Sequence, residues 1–231
     1  MSKAAAQTGN RPERDDLLDA FWEKGLVLLG ARVREEYGLA TPVFIDLRHK
    51  LYDDLLLLRL LGERLHAKLE AIVHAEVGAA GKPQEVIGIP DTATPIALVT
   101  ALVSKSTAFP LAYGQMRKKP AAYPGGESGV SAYMGTKDPN RQITLIDDVM
   151  ASGRTKIWAM EQLAKDGLEA ARVLVVVDRE QGGGNIVEGK HCPLHSLYRI
   201  SDVIAYLLDR GLVNAVTAQE ALEHIRARRF N

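Results

Sequence analysis

The stretch ITLIDDVMASGRTKIWAMEQLAKDGLEAARVLVVVD, residues 143–178, decides the fold. It opens on an apolar run, ITLIDDV, that reads as a strand. Small residues follow, and then residues 154–166 carry helical spacing until Gly167 stops it. ARVLVVVD, residues 171–178, is the clearest central strand in the chain, because an unbroken apolar run suits a strand covered on both faces. Strand, helix, strand in this order implies a βαβ unit and a parallel sheet.

The same alternation extends outward. EVIGIP (residues 85–90) reads as a buried strand, 94–104 as a helix and 108–116 as another strand. Residues 117–140, rich in Gly, Pro, Lys and Ser and without apolar periodicity, read as a long exposed loop. After the central strand, GGG at 182–184 is a break, LHSLY (194–198) a last strand, and 201–209 and 217–228 two closing helices. Upstream, residues 15–29 predict a first helix, VFIDLR (43–48) a short strand, and 53–77 a long amphipathic helix. The class is therefore α/β: a mainly parallel sheet flanked by helices, with ligands expected at the carboxyl ends of the strands. The expected organisation is a disordered lead over residues 1–14 and one domain over 15–231. No internal repeat interrupts it.

Composition narrows the function. Twenty-nine basic residues cancel twenty-nine acidic ones, so nothing points to nucleic acid or an anionic membrane. No apolar run approaches the roughly 20 residues that span a bilayer, and MSKAAAQTGNRPERDD lacks a secretory apolar stretch, so the expected place is the cytoplasm. Cys192 stands alone and reads as a small apolar residue. The six histidines lack metal spacing, and Trp22 and Trp158 sit at helix-like packing positions.

The chemistry concentrates where the first strand of the quoted unit ends. Asp147 and Asp148 close an apolar strand, Ala151, Ser152 and Gly153 form a small-residue loop, and Arg154 and Thr155 open a helix. Small residues let backbone N–H groups approach a phosphate, and a helix N-terminus adds partial positive charge. Ser152 and Thr155 add hydroxyl donors. The two carboxylates can accept from sugar hydroxyls and assist a Mg²⁺ ion. The plainer alternative is a strand end followed by a helix capped by Ser152. The order is neither G-x-x-x-x-G-K-[ST] nor G-x-G-x-x-G.

The segment resembles the phosphoribosyl diphosphate (PRPP) signature of type I phosphoribosyltransferases. Three further strings are similar to orotate phosphoribosyltransferases: VFIDLR after Thr41-Pro42, GIPDTATPIA (88–97) and DREQGG (178–183). The resemblance implies that fold, with a small N-terminal hood from about 15–50, a core over about 51–200 and C-terminal helices over 201–231. It implies a Mg²⁺-dependent transfer of phosphoribosyl from PRPP to orotate, in a homodimer whose substrates are small molecules.

By the same resemblance, Ala151, Ser152, Gly153, Arg154 and Thr155 hold the 5′-phosphate, and Asp147 and Asp148 hold the ribose hydroxyls and the metal. Arg117, Lys118, Asp91, Thr92 and Ala93 complete the PRPP site, and Lys118, Lys119 and Asp148 carry catalysis. Asp91 acts through Mg²⁺ or its waters, or is a turn residue after Pro90. Arg179 pairs with the carboxylate of orotate through a two-pronged guanidinium contact. Phe44 lines the base pocket or belongs to the core.

Two departures remove positive charge. The family's mobile loop, Arg-Lys-Glu-x-Lys-x-His-Gly, is here RKKPAAYP (117–124), so its second lysine aligns with Ala121 and Lys119 becomes the substitute. The family's Lys-Ser-Gly aligns with Glu36-Tyr37-Gly38. Each lost charge-assisted contact is worth roughly 1.5–3 kcal/mol. Two other readings therefore stand beside the first: a phosphoribosyltransferase with a different heterocyclic acceptor, and a PRPP- or nucleotide-binding regulator that has lost catalysis.

Overall fold

The protein is described by a computed structural model covering residues 14–76, 81–118 and 131–228. The expected disordered lead falls almost wholly outside these residues, as do Lys119, Ala121 and Tyr123.

The quoted unit folds as read. Strand β6 (Gln142–Met150) leads through the small-residue loop into α5 (Arg154–Lys165), which returns to β7 (Ala170–Asp178) parallel to β6. The rest of the sheet is built from β3 (Gln84–Gly88), β4 (Leu111–Met116), β5 (Tyr133–Met134) and β8 (Leu194–Arg199). The spatial order is β5-β4-β3-β6-β7-β8, and every neighbouring pair is parallel except β4–β5. After β3 the chain builds outward through β4, then crosses back to lay β6 on the other side of β3. The carboxyl ends of β3 and β6 therefore flank the crevice where an open α/β sheet takes its ligand.

Both faces of the sheet are covered, which is why VLVVV is apolar without alternation. Leu174 and Val176 pack into one core with Val86 and Ile146. That core is closed by α1 (Asp16–Glu23), α3 (Leu55–Ala75), α4 (Ala93–Ser104), α7 (Ile200–Asp209) and α8 (Ala215–Ala227). Val173 and Val175 face the other core with Ile87 and Leu145, covered by α5 and α6 (Gly183–Glu188). Cys192 is buried there as a small apolar residue, and burial pushes its thiol up to about 11. Among the described residues no helix is long and apolar enough to cross a membrane.

Three sequence expectations need correction. The helix expected over 15–29 stops at Glu23, because the chain turns at Gly25 with φ +69°. Val27–Leu29 (β1) instead pairs antiparallel with Val43–Ile45 (β2), a partner that local periodicity does not reveal, Leu28 facing Phe44 sixteen residues on. Between them lies an unforeseen helix, α2 (Ala31–Tyr37), and GGG at 182–184 leads into α6 instead of merely ending a strand. The 117–140 loop is also not exposed throughout. Tyr133 is buried and joins the sheet edge through Met116, with its hydroxyl donating to Glu85 at 2.5 Å.

Candidate active site

Over the β3/β6 crevice lies a cavity of about 260 Å³ built by four segments. Asp147, Asp148 and Val149 line it from the end of β6, and Ala151, Ser152, Gly153, Thr155 and Lys156 from the loop and the first turn of α5. Pro90 and Thr92 enter from the turn after β3, Lys118 from beyond β4, and Arg48 from beyond β2.

The loop's shape depends on two glycines. Gly153 adopts φ +76°, where side chains are strained, and its missing Cβ would lie 2.8 Å from the carbonyl oxygen of Gly183. A Cβ on Gly183 would meet the Ala151 carbonyl oxygen at 2.1 Å. The ASG loop and the DREQGG turn are thus locked backbone to backbone, a contact that also joins the Arg179 N–H to the Met150 carbonyl at 3.0 Å.

The two adjacent carboxylates live differently. Asp147 accepts from the Asp148 amide at 3.0 Å, the Thr155 hydroxyl at 3.2 Å and the Lys156 ammonium at 2.6 Å. Thr155 therefore donates to Asp147 in this structure, where the sequence had it donating to phosphate. Asp148 accepts from the Val149 amide at 2.7 Å. Burial, then the charge of Asp147, raises its carboxyl to about 6, although Lys156 pulls the other way.

Two lining cations escaped the sequence reading. Arg48 ends the VFIDLR string itself. Asp46 accepts the Arg48 and His49 amides, each at 3.1 Å, and that turn sends the Arg48 Nε to the Thr92 hydroxyl at 3.0 Å. Tyr52 holds the same threonine by donating to its carbonyl. Burial opposes ionisation of Asp46, but the Tyr37 hydroxyl and the His49 amide and ring hold its carboxyl below the usual range. Lys156 left one faint sign: a cation in a helix's first turn opposes the helix dipole, so it needs a carboxylate partner.

The remaining sequence-predicted residues distribute unevenly. Lys118 reaches the cavity and donates to Asp91 at 2.6 Å, with the Asp91 side chain 79% exposed. Ala93 is buried at the start of α4, Arg154 is exposed, and the Arg117 guanidinium contacts the Met134 sulfur; none of the three lines the cavity. Phe44 packs on Tyr37 with ring centroids 4.6 Å apart.

Arg179 stands at the end of β7 with its Nε buried and without a hydrogen-bond partner among the described residues. Burial and then the charge of Arg228 lower its pKa. Beside it, His224 meets the Thr41 hydroxyl at 3.1 Å, and burial with Arg228 and Arg179 depresses its ring. A buried cation that no described carboxylate pairs suits an anionic ligand.

No family model matches the chain. The orotate phosphoribosyltransferase of Thermococcus kodakarensis is 30% identical over 193 residues, covering 83% of this chain and 94% of that protein. The uridine 5′-monophosphate synthase of Bos taurus is 29% identical over 194 residues, 84% of this chain and 37% of that one. The structure of Leishmania donovani UMP synthase matches with a TM-score of 0.71 at 20% identity, over 92% of this chain and 42% of that chain. The chain spans about two fifths of the length of these synthases. Fold and relatives together define a type I phosphoribosyltransferase. Within that class, the chain belongs to the orotate phosphoribosyltransferase family.

Proposed function

We propose that the chain transfers the phosphoribosyl group of PRPP to orotate, giving orotidine monophosphate and diphosphate. The carrying observation is one cavity lined by the ASG loop, Asp148, Lys118 and Arg48, locked to the turn of Arg179, whose buried Nε has no hydrogen-bond partner among the described residues.

Ala151, Ser152 and Gly153 receive the 5′-phosphate, the amino end of α5 adding its partial positive charge. Lys118, Arg48 and the Thr92 turn face the diphosphate. The orotate ring nitrogen donates its electron pair to carbon 1 as the bond from carbon 1 to the diphosphate oxygen breaks; that oxygen keeps the bonding pair, and the nitrogen releases its proton to solvent. The ribose passes through an oxocarbenium-like state, so Lys118 and Arg48 act by stabilising the departing anion. Arg179 fixes the acceptor through its carboxylate, and holding both reactants in line supplies much of the rate.

The residues fit Mg²⁺ in a limited sense. Magnesium commonly binds through one or two carboxylates, waters and substrate phosphates. Asp148 offers such a carboxylate to the cavity, whereas Asp147 is engaged by Lys156. When bound, the ion would neutralise diphosphate charge. At the position of the family lysine, Glu36 pairs with Lys50 at 2.6 Å and Arg32 at 3.3 Å. That cancelled charge favours keeping a second acceptor heterocycle open.

The reading extends to a homodimer in the cytoplasm, with β1–β2 and α2 as a hood over the acceptor. Leu55, Leu56 and Leu102, which α3 and α4 leave exposed, support the dimer. The test is orotate loss, followed by ultraviolet absorbance, with Mg²⁺ and PRPP. Turnover that disappears in Arg179→Ala upholds the proposal. PRPP that protects the fold against heat without orotate turnover selects another acceptor or a regulator, and no thermal shift with PRPP overturns the assignment.

A further inference from the structure

Resting on the PRPP reading, we propose that Lys156 is a positioning residue. It retains Asp147 as its internal counter-ion, so that Asp148 alone of the pair meets the ribose hydroxyls.

The geometry is that of a closed ion pair. The Lys156 side chain is 4% exposed, and its ammonium donates to Asp147 Oδ2 at 2.6 Å and to the Val149 carbonyl at 2.5 Å. A buried ammonium is costly unless paired and hydrogen-bonded, so these two acceptors hold it firmly. The contacts also bind the first turn of α5 to the end of β6, across the phosphate loop between them.

Asp147 is correspondingly occupied. One carboxylate oxygen takes the Asp148 amide, and the other takes both the Thr155 hydroxyl and the Lys156 ammonium. An ionised carboxylate offers about four acceptor positions, and three are taken by the protein. Asp148 lies beside it with its carboxylate bonded to the neighbouring Val149 amide; both aspartates line the cavity, but only Asp147 is held by a lysine.

The arrangement also answers a charge problem. PRPP brings several negative charges, and two bare carboxylates would repel it. Lys156 cancels one of them within the protein, leaving one ribose acceptor and a smaller repulsion.

The test compares PRPP affinities by calorimetry, with Mg²⁺ present, in the full chain and three variants. Lys156→Met releases the Asp147 charge into the site, and PRPP binding weakens by about tenfold or more. Adding Asp147→Asn restores affinity to within about threefold of the original, a rescue that a merely structural lysine would not show. Asp148→Asn weakens binding by about tenfold or more. A double variant as weak as Asp148→Asn overturns the inference, because Asp147 then touches the ribose itself. Unchanged affinity in Lys156→Met also overturns it. Should Lys156→Met not fold, the double variant, which leaves neither charge buried alone, decides: affinity within about threefold upholds the inference and a tenfold loss ends it. An original chain that does not bind PRPP overturns the PRPP reading and this inference together. Binding by the original with failure of the rescue overturns this inference alone.

Discussion

The two ends of one sheet hold buried charge in opposite ways. Toward the amino ends of the strands, Arg172 is 0% exposed, and it donates to both oxygens of Glu76, to Gln84 and to Thr144. Glu85 is likewise buried and accepts from Tyr133 and Arg141. At the carboxyl ends, Arg179 keeps a buried Nε without a partner among the described residues, and Asp148 carries a raised pKa beside a second carboxylate. Both regions remove charge from water; Arg172 is met by protein partners, whereas of the carboxyl-end charges Asp147 is met by Lys156 while Asp148 and Arg179 lack such an ion pair among the described residues. Burial of charge alone therefore does not separate the two ends, and on the proposed reading the incompletely compensated groups are the ones that meet ligand.

The largest expected effect breaks the compensated end. Arg172→Met leaves Glu76 without its guanidinium and should lower stability by about 3–5 kcal/mol, read from denaturant unfolding. At the other end, Arg179→Ala removes a cation that the described protein does not pair. It should cost about a hundredfold or more in kcat/KM for orotate while leaving the thermal midpoint unchanged or higher. A large loss of stability would place Arg179 with Arg172 and dissolve the contrast.

Asp148 gives a smaller effect with a defined sign. Its pKa is raised above that of an unfolded aspartate, so the folded state binds the extra proton. The contribution to stability is complete below about pH 4 and is lost as pH rises through about 6. Asp148→Asn should thus stabilise the ligand-free chain at pH 7 by about 1–3 kcal/mol and flatten that pH dependence, read from melts between pH 4 and 8. Smallest is Asp91→Asn. Its bridge to Lys118 is exposed, so freeing the lysine should tighten PRPP binding by about two- to fivefold in calorimetry. Weaker binding would instead assign Asp91 a direct part in holding the ligand.

Much of the sheet was legible because burial on both faces leaves continuous apolar runs, as in VLVVV and ITLI. Boundaries failed where a long-range partner decided them: Leu28 looks helical until it is paired with Phe44. The candidate site was legible to the extent that one segment carried it, since loop, carboxylates and helix start are contiguous. Lys156 and Arg48 were missed because their roles depend on where their side chains end. The sequence also treated Asp147 and Asp148 as equals. Their inequality arises on the next helix, nine residues past Asp147, where local spacing gives little sign of it.

The glycine-to-glycine contact between residues 153 and 183 has a consequence for selectivity. Two loops that touch through bare backbone cannot slide apart without losing the contact or approach without collision. On the proposed reading, the span from the Ala151–Gly153 loop to Arg179 then behaves as a fixed gauge, and with PRPP seated at one end a heterocycle would be measured by how far its carboxylate lies from the nitrogen that attacks. An acceptor bearing the same carboxylate on one extra methylene would be rejected by length, though its charge and its ring are acceptable.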